Sequence, residues 1–200
     1  MKSKIHCLVS GGAGYLGSIL CPALLMAGYK VIVVDNFFYH QISLAGCCFD
    51  PNFTIIRGDC RNVNMMNELL DDADFFIPLA AIVGAPACDR DPALAWEVNC
   101  KAITDHMSKK ICPTIMPQTN SGYGIGGEGA CTEDSPLKPL SVYGRTKVEA
   151  EKAVLNYDGV TLRYATLFGM SPRIRLDLLV NDFCYRALRD RFVILFEAGF

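Results

Sequence analysis

The chain has 200 residues, and against a prior of about 150 per domain that makes one domain, or one domain with the start of a second. A chain of this size buries about 70% of its unfolded surface and needs no disulfide or metal to fold, while 51% hydrophobic and 20% charged residues exclude disorder. Lysine and arginine number 19 against 21 Asp and Glu, a formal charge of −2 with no block of either sign, so neither nucleic acid nor an anionic membrane has electrostatic support as a partner and a small molecule is expected.

The ten cysteines are scattered and form no CxxC, and none of His6, His40 and His106 stands at ligand spacing from them. That argues against a zinc site and for small buried thiols in a reducing cytosol. Between Lys4 and Lys30 there is no charged side chain, but Gly11, Gly12, Gly14, Gly17, Gly28 and Pro22 interrupt what a signal peptide or a spanning helix keeps continuous. A soluble cytoplasmic protein is expected.

In chain order, the apolar run Ile5–Val9 predicts a strand, the glycines from Gly11 to Gly17 a turn, Tyr15–Ala27 a helix, and Val31–Val34 a second buried strand ending on Asp35. Residues 4–35 therefore form a βαβ unit with parallel strands. The alternation continues with a strand at Phe53–Arg57, a helix at Val63–Leu70 and a strand at Asp74–Leu79. A helix over Ala93–Lys110, a strand at Thr114–Thr119, a helix at Val142–Tyr157 and a strand at Val160–Leu167 follow. This is the pattern of a Rossmann-type, doubly wound α/β parallel sheet with helices on both faces. The Gly-, Pro- and acid-rich stretch Gly122–Pro139 predicts a surface loop at the carboxyl ends of the strands, where such sheets bind ligands.

Two motifs carry chemistry. In the first, Gly11, Gly14 and Gly17 match GxxGxxG between a strand and a helix, with Asp35 18 residues beyond Gly17. The first glycine permits a tight turn, the second lets backbone amides approach a pyrophosphate, and the third lets the helix pack closely on the strand. Asp35 would accept hydrogen bonds from an adenosine ribose and repel the extra phosphate of NADP, and Asn36 supplies no compensating cation, so NAD is favoured. The second motif is Tyr143 and Lys147, a YxxxK pair one helical turn apart on one face. A phenol of pKa ~10 is a poor base at neutral pH, but Lys147 and a cationic nicotinamide would both favour the phenolate.

Together SGGAGYLG at 10–17, DN at 35–36, GD at 58–59, LAA at 79–81, VN at 98–99, TNSGYG at 119–124, YGRTK at 143–147 and LRYATLFG at 162–169 resemble, along the whole chain, the extended short-chain dehydrogenase/reductases that act on nucleotide sugars, also called NAD-dependent epimerase/dehydratases. The resemblance implies that NAD is held by Gly11, Gly14, Tyr15, Leu16, Gly17, Asp35 and Asn36. It places Asp59 and Cys60 beside the adenine, Leu79, Ala80 and Ala81 beside the nicotinamide-side ribose, and Asn99 at the cofactor. It makes Thr119, Tyr143 and Lys147 the catalytic trio, with Thr119 bonded to the reacting sugar oxygen and Lys147 to the nicotinamide ribose. A strand-end threonine bonding its own backbone is the other reading of Thr119. A nucleotide-sugar substrate and a homodimer of the full-length protein are also implied.

The departures from the family pattern are specific. Pro78 replaces a frequent His and Thr166 a usual Asn. Asn120 and Ser121 stand where the family's 4,6-dehydratases carry acidic residues, so dehydration loses its proton donor and acceptor. TNSGYGIG together with SPRIRLDLLVNDF at 171–183 looks most like a subgroup with C4 dehydrogenases acting on GDP-heptose, which places Arg173, Arg175 and Asn181 toward the substrate diphosphate. Arg173 and Arg175 can equally be exposed charges before a helix.

Members of the family continue beyond the strand-like stretch Phe192–Phe200, so the chain reads as an N-terminal part. Residues 1–170 are then an NAD-binding Rossmann domain with the catalytic residues, and 171–200 the start of an incomplete substrate-binding lobe. The expected function is NAD-dependent oxidation at C4 of a nucleotide-linked sugar, as dehydrogenase or epimerase. An NAD-binding sensor or scaffold without turnover is the alternative, against which the joint presence of Thr119, Tyr143 and Lys147 argues.

Overall fold

The computed structural model describes residues 4–108, 112–125 and 129–195. Strands β1 (His6–Ser10), β2 (Lys30–Asp35), β3 (Phe53–Arg57) and β4 (Phe75–Pro78) form a parallel sheet in the order β3-β2-β1-β4. Strands β5 (Ile115–Thr119) and β6 (Val160–Tyr164) form a second parallel pair. Among the described residues a single parallel bridge, Phe76 to Thr114, joins the two pieces into the 3-2-1-4-5-6 order of doubly wound sheets.

The sheet is interrupted at that point for a reason written in the sequence. With Thr114 opposite Phe76, Phe76 N donates to Pro113 O at 2.9 Å, and in parallel register the two donors beyond this bridge are the nitrogens of residues 78 and 117. Both are proline and carry no N–H, so the ladder stops after one bridge.

Alternation along the strands sends side chains to two cores. Val9, Val31, Val33 and Ile77 pack with Cys21, Leu20 and Leu24 of helix α1 (Gly17–Met26). Leu8, Val34 and Phe76 pack on the opposite face with Met66 and Leu70 of α2 (Val63–Asp71), whose N-terminus is capped by the Asn62 side chain accepting from Met65 N. Burial on both faces gives the near-continuous apolar runs that marked these strands in the sequence.

The helix expected over Ala93–Lys110 is three successive pieces, preceded by a short helix that was not expected. Helices α3 (Ala85–Arg90) and α4 (Pro92–Trp96) are followed by a π-helical turn at Glu97–Lys101 and by α5 (Ala102–Met107). Lys109 and Lys110, assigned to this helix from sequence, lie outside the described residues. Pro86 and Pro92, which resemble breaks in a pattern, occupy first-turn positions where a missing N–H costs nothing.

Helix α6 (Val142–Asn156) matches its expected span, and packs Ala150 and Val154 on Met116 of β5 and on Ile103 and Met107 of α5. The strand expected over Val160–Leu167 ends at Tyr164, because its partner β5 ends at the paired Thr119. Helix α7 (Leu179–Arg189) follows. Phe192–Leu195 form no strand, contrary to expectation, and residues 196–200 lie outside the described residues. Among the described residues no helix is long and apolar enough to cross a membrane.

Candidate active site

The turn after β1 is built by close approach. Gly11 has φ +72°, and a Cβ on it would lie 2.5 Å from Ala80 N in the segment after β4. Gly17 backs onto the carbonyl of Gly12, and Gly12 onto the methyl groups of Val33, where an added Cβ would stand 2.8 Å away. Close packing against the sheet, assigned to Gly17 from the sequence, therefore falls to Gly12. No side chain caps the N-terminus of α1. Ser18 N already donates to Gly14 O at 3.0 Å and Ile19 N to Leu16 O at 3.1 Å, so the amides left to face an anion are those just before them, of Tyr15, Leu16 and Gly17.

Asp35, 7% exposed at the end of β2, accepts from Ala13 N at 3.0 Å, from Phe37 N at 2.8 Å and from Gln41 Nε2 at 3.3 Å. It tethers the glycine turn from the neighbouring strand. With about four lone-pair sites on a carboxylate, three of them used, roughly one remains for a ligand.

A cleft of about 780 Å³ opens along the carboxyl ends of the strands. Gly11, Gly14, Tyr15, Leu16, Gly17, Asp35 and Asn36 line one end, with Asp59 and Cys60 nearby; Leu79, Ala80 and Ala81 line the middle; Thr119, Tyr143, Lys147, Arg173 and Arg175 line the rest. Asp59 is ion-paired with Arg61 at 2.7 Å, which holds its carboxyl below the usual range. Burial pushes the Cys60 thiol up to about 12. Pro78 and Thr166, the two departures noted in the sequence, line the cleft as well.

Asn99 and Asn181 do not line the cleft. They are struts behind it. Asn99, fully buried in the π turn, accepts from Ile82 N at 2.7 Å and donates to Ile82 O at 2.9 Å and Thr146 Oγ1 at 3.2 Å; Thr146 in turn donates to Tyr143 O at 2.8 Å. Asn181 accepts from Gly169 N at 2.8 Å and donates to the Tyr15 hydroxyl at 3.1 Å and to Arg175 O at 2.9 Å. The Tyr15 hydroxyl donates to Gly169 O at 2.7 Å, so the glycine turn and the segment carrying the arginines are clasped together.

Ser141 caps α6 by accepting from Gly144 N at 3.0 Å, which fixes the first turn and places Tyr143 and Lys147 on the face toward the cleft. Burial, with Cys88 beside it, pushes the Tyr143 phenol up, and Arg175 pulls it the other way. Arg175 is thus a cation acting on the phenol that the spacing did not indicate. Arg175 forms a two-point ion pair with Asp177, at 3.1 and 2.6 Å. Arg173 stacks on the Tyr39 ring, 4.7 Å from its centroid.

Lys147 is 5% exposed, and burial brings its ammonium down to about 8 although Glu151 opposes the change. None of the described residues accepts a hydrogen bond from that ammonium. Thr119 Oγ1 accepts from Ser121 N and donates to Ser121 Oγ, each at 3.2 Å, so it does bond the local backbone while it lines the cleft, and one lone pair stays open.

A family model described as the NAD dependent epimerase/dehydratase family matches residues 7–197. The chain belongs to that family. Its site fits a dinucleotide on the structure's own terms: a glycine turn with the amides of Tyr15, Leu16 and Gly17 open, a carboxylate with one free acceptor position, and a buried ammonium with no hydrogen-bond partner among the described residues, in one cleft. A low-salt glycan biosynthesis protein of Haloferax volcanii is 30% identical over 96% of this chain and 66% of its own length. A UDP-glucose 4-epimerase of Cyamopsis tetragonoloba is 27% identical over 82% of this chain and 53% of its own length. The crystal structure of UDP-glucuronic acid 4-epimerase from Bacillus cereus in complex with NAD matches with TM-score 0.81 and 30% identity, over 93% of this chain and 63% of that one. The chain thus spans about half to two thirds of the length of these relatives.

Proposed function

We propose that the protein oxidises C4 of a nucleotide-linked sugar, with C4 epimerisation as the outcome. The observation that carries the reading is the opening of Tyr143, Lys147 and Thr119 onto the same cleft as the glycine turn and Asp35. NAD, when bound, supplies the two-electron acceptor. Tyr143 takes the C4 hydroxyl proton, Thr119 bonds the same sugar oxygen with its hydroxyl, and Lys147 binds the nicotinamide-side ribose through its ammonium. Arg173 and Arg175 offer guanidinium groups to the substrate diphosphate, although stacking on Tyr39 and pairing with Asp177 occupy part of each. The 4-epimerase names of two of the relatives support the epimerase outcome over a dehydrogenase that stops at the ketone.

The test is the product. Incubating the protein with NAD and UDP-linked hexoses and uronic acids should give C4-epimeric sugar by NMR and no 6-deoxy-4-keto sugar, because Asn120 and Ser121 do not titrate. A C6 methyl doublet would overturn the reading in favour of a dehydratase, and wild-type protein that binds NAD but turns over none of these sugars would support a binding role instead.

The acid at the end of β2 gives a second expectation. Calorimetric titration should show NAD bound more tightly than NADP, and Asp35→Asn, which retains an acceptor for the turn amides but removes the charge, should narrow the difference. Equal affinities in the wild type would show that Asp35 serves only to hold the turn.

A further inference from the structure

Behind the cleft lies a buried polar cluster that the proposed chemistry does not use. Glu151 is 1% exposed and stands on α6 one turn beyond Lys147 and two beyond Tyr143, so the three share a face. Its Oε1 accepts from Thr161 Oγ1 and Arg163 Nε, both at 2.8 Å from β6, and its Oε2 accepts from Gln118 Nε2 at 3.1 Å from β5. Gln118 is 3% exposed and immediately precedes Thr119. The same Nε2 donates to Lys147 O at 2.8 Å, while Gln118 Oε1 accepts from Thr119 N at 2.8 Å. One side chain therefore ties the backbone that carries Thr119 to the backbone that carries Lys147. Burying an ion pair contributes little net stability, since desolvation offsets the attraction and apolar side chains would fill the same space as well. Its location, directly beneath the trio, is what calls for a role.

Resting on the function proposed above, we propose that Gln118 and Glu151 are positioning residues: Gln118 sets the spacing between Thr119 and the Tyr143–Lys147 turn, and Glu151 sets a negative charge one turn below the Lys147 ammonium. The charged and titratable groups around the trio are Tyr143 and Glu151 on α6, Arg163 on β6, Cys88 on α3 and Arg175 on the segment after β6. Of these, Glu151 is the one that favours the charged form of Lys147.

The experiment measures NAD affinity by calorimetry from pH 6 to 10, and turnover, for wild type, Glu151→Gln, the double variant Glu151→Gln with Arg163→Met, and Gln118→Met. The double variant removes the pair together, so that Arg163 is not left without its carboxylate if the single variant fails to fold. The loss of NAD affinity on the alkaline side should move to lower pH by about one unit in the Glu151 variants. In Gln118→Met it should stay in place, while kcat falls and NAD affinity does not. In folded, cooperatively melting protein, Glu151 variants whose affinity curve superimposes on wild type would overturn the role of Glu151, and Gln118→Met with wild-type kcat would overturn that of Gln118. Wild-type protein that binds no NAD, or whose NAD affinity shows no alkaline loss, would instead overturn the role given to Lys147 under the proposed function.

Discussion

Tyr143→Phe should lower sugar turnover by ~10²- to 10⁴-fold, the usual contribution of a positioned acid or base, and leave dinucleotide affinity nearly unchanged. The ring remains to fill its place on the first turn of α6. The side-chain hydrogen bond at Tyr143 is accepted by its backbone carbonyl, from Thr146, so removing the hydroxyl strands no partner among the described residues. Melting temperature should accordingly stay close to wild type. Steady-state kinetics beside calorimetry with NAD separates the effects: a variant that binds NAD and turns over at the wild-type rate would remove Tyr143 from the chemistry.

The second large effect is on stability at alkaline pH. Burial raises the thiols of Cys7, Cys47, Cys88 and Cys100, and brings Cys112 to about 11 and Cys21 and Cys60 to about 12, from an ordinary 9.0. Between pH 9 and 12 the unfolded chain has released these protons and the folded chain retains them, so stability falls as pH rises. Cys21 is fully buried, and its shift alone corresponds to about 4 kcal/mol over that window, a large share of a total of ~5 to 15 kcal/mol. Lys147 acts in the opposite direction: its ammonium is lost near 8 in the folded state and near 10.5 in the unfolded one, so it adds stability as pH rises between them. One amine does not offset so many thiols. Urea melts in a reducing buffer should show stability roughly level up to pH 9 and then a steep decline, and Cys21→Ala should flatten that decline. A level profile to pH 11 would mean that the thiols are better solvated than their burial implies.

The βαβ opening was legible because its signals are local: an apolar run, glycines where the backbone must turn, and an acid at the end of the next strand. The span of α6 was legible as a helix-like run from Val142, and the structure starts it with the Ser141 cap. Helix α3 was not, since Pro86 near its start looks like a break until the preceding Gly84 is seen at φ +88°. Asn99 and Asn181 sat in recognisable motifs, yet their task depends on partners far along the chain; Asn181 and Tyr15 are 166 residues apart. No periodicity reports such a contact. For the same reason Arg175 was assigned to phosphate while its charge also reaches Tyr143, and Gln118 passed as one more strand residue.

The two prolines at the β4–β5 edge bear on how occupancy and folding relate. Pro78 and Pro117 both face the cleft, so the sheet is seamed where its strands reach the site and, among the described residues, is closed by backbone only at the far end, at Phe76 and Thr114. Asp35 stands on one side of the seam, and Lys147, on a helix packed over β5, on the other. A dinucleotide held at both would stitch the seam, supplying across it the adhesion that two missing N–H groups withhold. In such a molecule the ligand is part of the masonry, and every contact it makes on either side counts toward keeping the sheet whole.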